Sequence, residues 1–218
     1  MAVSAPEPGV VWLFLVDDLH IDFRTTGIVR GWLRSLTDAL IEDDDVFAVR
    51  TTGPSSLSVG LLASVDDLRN GIRRLSGSAL KAEDVQRAPH GPDEIVHRAR
   101  VTIKAATELL SSAPGQDPRR RGFVYFGKGF DAGNAVDVEM DEFLAEARRH
   151  HVTVIAIDAS ALPGAQTPIP SLANAERMRG VNARRYSLER LALPTGGFVL
   201  DDQDALRDAV IWLSSALR

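Results

Sequence analysis

Residues 10–16 read Val-Val-Trp-Leu-Phe-Leu-Val and are followed at once by Asp17 and Asp18. Seven successive apolar residues leave no polar face, so a strand built from them must be covered on both sides. Such a strand belongs to a sheet with helices above and below it, and the abrupt aspartate pair marks where the chain leaves the sheet. Val152–Ile157 (VTVIAI) reads as a second strand of this central type, and Phe123–Phe126 (FVYF) as a third.

Between these runs the period changes from two to three and four. From Thr26 to Ile41, Ile28, Trp32, Leu33, Leu36 and Leu40 form one helical stripe, with Thr25 or Thr26 as N-cap. Val46–Thr51 and Leu57–Leu61 are expected as strands joined by a Gly-Pro-containing loop, forming an antiparallel edge. Ser64 with Asp67 three residues on resembles a capping box, opening a helix to Leu75. Residues 76–92 read mostly as loop, Asp93–Ser111 as a long helix, Val136–His150 as another, and Gly197–Leu200 as the last strand. Residues 159–186 read as irregular or partly helical, Ser187–Leu193 as a short helix, and Asp204–Leu217 as a closing helix with Leu206, Val210, Leu213 and Leu217 in register. This alternation predicts a three-layer α/β domain over residues 10–218. Its sheet has about six mostly parallel strands and one antiparallel edge strand, and residues 1–9 are a flexible lead-in.

Composition limits function. The formal charge of −5 opposes a general phosphate-binding surface, so nucleic acid is not expected as a partner. The basic run Arg119–Arg121 reads as solvated loop. No window approaches the roughly 18 apolar residues of a membrane span, and a soluble domain is expected. With no cysteine, thiolate metal sites and cysteine nucleophiles are excluded. Gly122–Lys128 fits the opening of a phosphate-binding loop, but its intervening residues are strand-like Phe-Val-Tyr-Phe and Gly129 stands where Ser or Thr is required. His150 and His151 suit a helix C-terminus, while His90 and His97 lack zinc-site spacing. Asp158, ending a strand, is expected to satisfy loop amides.

Four segments carry a family likeness: VWLFLVDDLHIDF (11–23), RRGFVYFGKGFD (120–131), VTVIAIDASAL (152–162) and LERLALPTGGFVL (188–200). In this order they resemble the first, fourth, fifth and final strands of the von Willebrand factor A fold, in a bacterial related family whose members often read DDLH after the first strand. The resemblance implies a non-enzymatic protein-interaction module of adhesion type, in a family commonly exported by bacteria. It also implies a metal-ion-dependent adhesion site, D-x-S-x-S with a later Thr and an Asp after the fourth strand. There Mg²⁺, or Mn²⁺ or Ca²⁺, holds oxygen ligands and leaves one position for a partner's acidic group.

This chain departs from that pattern. With Asp18 first, the serine positions become His20 and Asp22; with Asp17 first they become Leu19 and Ile21, which cannot ligate. Thr51 or Thr52 stands in for the threonine, and Lys128 falls where an acidic ligand is usual. Two unit positive charges about 4 Å apart repel by about 4 kcal/mol at an effective dielectric of 20. Lys128 is therefore expected to replace the metal and pair with Asp18 or Asp22, unless Asp131 restores the carboxylate by folding back. The candidate site is Asp18, His20, Asp22, Thr52, Asp131 and Lys128, facing a protein or peptide partner. Two other readings stand beside it: a metal-assisted hydrolase using Asp18, His20 and Asp22, and a structural subunit domain.

Overall fold

A computed structural model describes residues 9–55, 58–61, 64–81, 85, 88–113, 119–162, 164 and 174–201. Strands β1 (Val11–Val16), β2 (Val46–Thr51), β3 (Ser58–Val59), β4 (Arg121–Gly127), β5 (Val152–Asp158) and β6 (Phe198–Leu200) form one sheet of order β3-β2-β1-β4-β5-β6. All neighbouring pairs are parallel except β2 and β3, the antiparallel edge. The expected α/β architecture, strand number and edge strand are thus observed. The expected closing helix Asp204–Leu217 lies outside the described residues.

The pleat of β1 divides the core. Trp12, Phe14 and Val16 point to one face, where α1 (Thr26–Leu40) and α2 (Val65–Arg74) bring Val29, Leu33, Leu36, Leu68 and Ile72. Val11, Leu13 and Leu15 point to the other, under α3 (Gly91–Ser111), α4 (Asp137–Arg149) and α5 (Asn174–Ala192). A strand with no polar position is what this double burial demands. No helix of the described residues is long and apolar enough to cross a membrane.

Local chemistry accounts for the boundaries. Ser64 caps α2 by accepting from the Asp67 amide at 3.1 Å, as its sequence signature implied. Ser64→Ala is expected to cost about 1 kcal/mol, read as a lower urea midpoint at unchanged m-value. Thr25 is the N-cap residue of α1, as expected, but its side chain makes no capping bond; Asp22 caps the turn just before it. Its carboxylate accepts from the Arg24 amide at 2.8 Å and opens a 3₁₀ turn over Phe23–Thr25, so the Thr25 hydroxyl is used against the Asp22 carbonyl instead.

Two expectations are overturned. Residues 174–192 form one 19-residue helix, where a short helix over Ser187–Leu193 and at most partial helicity before it are expected. Arg121 is not solvated loop but opens β4, buried, with its guanidinium donating to the His150 carbonyl at 3.0 Å. It crosses to the C-terminus of α4, whose last carbonyls attract a cation.

Candidate functional site

The chain leaves β1 toward β2 and leaves β4 toward β5, although β1 and β4 are neighbours. Connections departing in opposite directions open a crevice at the carboxyl ends of these two strands, the usual ligand position in open α/β sheets. Asp17 and Asp18 stand at the end of β1, and Gly127 and Lys128 at the end of β4.

Asp17 is fully buried and surrounded by donors. Its Oδ1 accepts from the Thr52 hydroxyl at 2.8 Å and the Thr102 hydroxyl at 3.1 Å. Its Oδ2 accepts from the Tyr125 hydroxyl and lies 2.8 Å from His20 Nδ1. Burial alone would raise this carboxyl. The His20 charge and the hydrogen bonds of His20, Tyr125 and Thr52 outweigh it and hold Asp17 below the ordinary aspartate range. Tyr125 moves well above the ordinary tyrosine range, first through burial and then through the adjacent Asp17 charge. It therefore remains a protonated donor.

Asp18, equally buried, serves the backbone. Its Oδ1 accepts from the amides of Thr52 at 3.0 Å and Gly53 at 2.6 Å, and its Oδ2 from the Ser55 amide at 3.0 Å. The Asp18 carbonyl accepts from the Ser78 amide at 2.8 Å. Arg98 closes the assembly, donating to the carbonyls of Leu19 and Ser78 and pairing with Glu94. Two adjacent buried carboxylates are tolerable because every described oxygen has donors; hydrogen bonds to charged groups contribute about 1.5–3 kcal/mol each.

The sequence candidates are distributed unevenly. Thr52 bridges both aspartates, and His20 leans on Asp17 with its ring 5.9 Å from Phe130. Asp22 caps the 3₁₀ turn, so Asp18, His20 and Asp22 do three different jobs and do not converge as a ligand set. The β4 loop does not fold back: Phe130 is buried, its amide donates to Ser187 Oγ at 2.9 Å, and Asp131 is exposed.

Lys128 is half-buried, and among the described residues no carboxylate lies within ion-pair distance of it. Burial lowers its ammonium; the Asp22 charge opposes this, the Arg184 charge adds to it, and Asp158 opposes it more weakly. Pairing with Asp18 is not observed, because backbone amides already fill that carboxylate. Asp158 accepts from the Ser160 amide at 2.8 Å, the loop role expected of it.

These donors do not suit a divalent cation. A metal would have to displace Thr52, Tyr125 and backbone amides from Asp17 and Asp18 while tolerating Lys128 nearby. Among the described residues no three His, Cys, Asp or Glu side chains are grouped to hold a metal. Tyr125, Thr102, Arg98 and the amides of Gly53 and Ser55 escaped the sequence reading. Only Tyr125 left a trace, as the one hydroxyl within the apolar FVYF run.

No protein-family description matches the chain, and no curated protein sequence matches it significantly. Among solved structures, the pilus adhesin SpaC from Lactobacillus rhamnosus GG, in its open conformation, is similar in fold. The TM-score is 0.53 at 9% identity, over 98% of this chain and 30% of the adhesin. The chain thus spans under a third of that protein's length, and the likeness concerns the fold alone.

Proposed function

We propose that this chain is a protein-interaction module of the von Willebrand factor A type, which engages its partner at the carboxyl edge of the sheet without a metal ion. The observation that carries the reading is the hydrogen-bonded Asp17–Asp18 pair at the strand-order switch point. The resemblance implies an adhesion site at this position; here internal donors fill the carboxylates, and the His20 contact with Asp17 braces the loop that follows. That loop presents half-buried His20 and Asp22 and exposes 72% of Phe23, beside Thr52 and Lys128. An apolar ring held out on a braced loop and rimmed by polar groups is the composition of an interaction surface. The fold likeness to an adhesin agrees with this reading. A metal-assisted hydrolase would need Asp18, His20 and Asp22 as ligands, whereas Asp18 accepts from backbone amides, His20 contacts Asp17 and Asp22 caps the 3₁₀ turn.

Two measurements test it. Calorimetric titration of Mg²⁺, Mn²⁺ and Ca²⁺ into chelator-treated protein is expected to show no saturable uptake and no thermal shift; saturable uptake lost in Asp18→Ala would restore the metal-dependent mechanism. Display selection of peptides on the immobilised domain is expected to yield binders that Phe23→Ser weakens about tenfold, the loss of a buried aromatic anchor. Failure to enrich any peptide over an unrelated α/β domain would sink the interaction reading.

A further inference from the structure

Helix α5 is longer than the sheet it covers. Its last turns are docked: Ser187, Leu188, Leu191 and Ala192 are buried, and the Thr195 hydroxyl just beyond accepts from the Val154 amide in β5. Arg184 stands level with the sheet's carboxyl edge, because its carbonyl lies against Gly129 and Ser187 Oγ accepts from Phe130. A Cβ on Gly129, whose φ is +67°, would come within 2.4 Å of that carbonyl, so helix and loop are in close contact here. At 1.5 Å per residue, positions 174–183 extend about 15 Å past the edge.

The stripe that packs on the sheet through Leu188 and Leu191 continues onto this overhang at helical spacing, as Val181 and Arg184. There it has lost its cover: Val181 is 44% exposed and Arg184 half-buried. The arm also exposes Met178 and Tyr186. Its chemistry contrasts with that of the chain. The protein carries −5, yet α5 holds five arginines against two glutamates. Arg185 and Arg190 have acidic partners in Glu189, Asp201 and Asp137. Among the described residues Arg179 and Arg184 have none, and neither does the neighbouring Lys128. The guanidinium of Arg184 lies back along the helix over Gly180, where a Cβ would stand 3.5 Å from its Nη1. Lys128 directly precedes Gly129, which lies against the Arg184 carbonyl, so two cations without an ion-pair partner sit on adjoining stretches of backbone beside an apolar helix face.

We propose that the overhanging half of α5 is a docking arm for an acidic segment of a protein partner. A carboxylate of that segment enters between Arg184 and Lys128, and its apolar side chains pack on Val181 and Met178. This rests on the interaction reading above and names the partner's chemistry. A discrete side-chain carboxylate fits better than a nucleic-acid backbone or an anionic membrane. The Asp22 and Asp158 charges already act on Lys128, and a continuous anionic surface would meet a chain of charge −5.

The test reruns the display-selected peptides against Arg184→Glu and Val181→Asp, with circular dichroism as the check on folding; both sites are exposed enough to accept the change. The expected peptides combine Asp or Glu with apolar residues. They lose about tenfold or more in affinity for each variant, and lose it likewise when their own acids become Asn or Gln. Affinity retained by both arm variants but lost in Phe23→Ser overturns the arm and leaves the edge reading standing. Affinity unaffected by all three variants overturns both. Binding to phosphatidylserine vesicles that the peptides do not displace identifies a membrane surface as the ligand and overturns the proposal.

Discussion

Asp17→Asn is expected to lower unfolding stability by about 3–5 kcal/mol, the usual cost of removing one member of a buried, hydrogen-bonded charged group. The amide keeps one acceptor oxygen where the carboxylate had two. Thr52, Thr102, Tyr125 and His20 then compete for it, and the new NH₂ faces donors. Against a total stability of about 5–15 kcal/mol, that loss consumes a large share, and urea unfolding will read it directly. The pH dependence identifies the cause. Asp17 is held below its ordinary value of 3.8 in the folded protein, so its contribution is complete above that value and is lost as pH falls through the lower folded value. The wild type should therefore lose stability on acidification below about pH 4, and the difference from Asp17→Asn should shrink over the same interval. A difference that stays constant down to pH 2 would mean that ionisation of Asp17 is not what the surrounding donors stabilise.

Gly197→Ala is expected to destabilise by about 3 kcal/mol, the upper end of the range for overpacking. A Cβ at this position would stand 1.7 Å from the Val154 carbonyl oxygen and 2.8 Å from its carbon. Both are backbone atoms of β5, beside which β6 pairs in register, so no side-chain rotation relieves the collision. The neighbouring Gly196 makes the control. Its φ of +77° is left-handed, but a Cβ there meets nothing within 4 Å, so Gly196→Ala carries conformational strain alone and should cost about 1 kcal/mol. Equal losses at the two positions, measured by urea midpoint, would contradict the close approach of backbone to backbone.

Much of the fold was legible because burial on both faces leaves an unambiguous pattern. VVWLFLV and VTVIAI can be strands only under two layers of helix, and Ser64 with Asp67 marks a helix start by local chemistry alone. The sequence pattern gives α5 short because residues 178–186 bury no apolar stripe against the sheet, so periodicity has little to register there. Arg121 was read as surface because charge says nothing about a carbonyl waiting across the sheet, at His150.

At the site, the residues themselves determined that a carboxylate pair ends the first strand, that Thr52 follows the neighbouring one, and that Lys128 follows the strand FVYF. Which aspartate stands at the centre was decided only by tertiary structure. The end of β1 aims Asp17 at hydroxyls from Thr102 in α3 and Tyr125 in β4, 85 and 108 residues away, and leaves Asp18 to the amides after β2. A sequence names donors and acceptors, but which of them meet depends on strand order and on the side to which each side chain points. Those are properties of the assembled sheet.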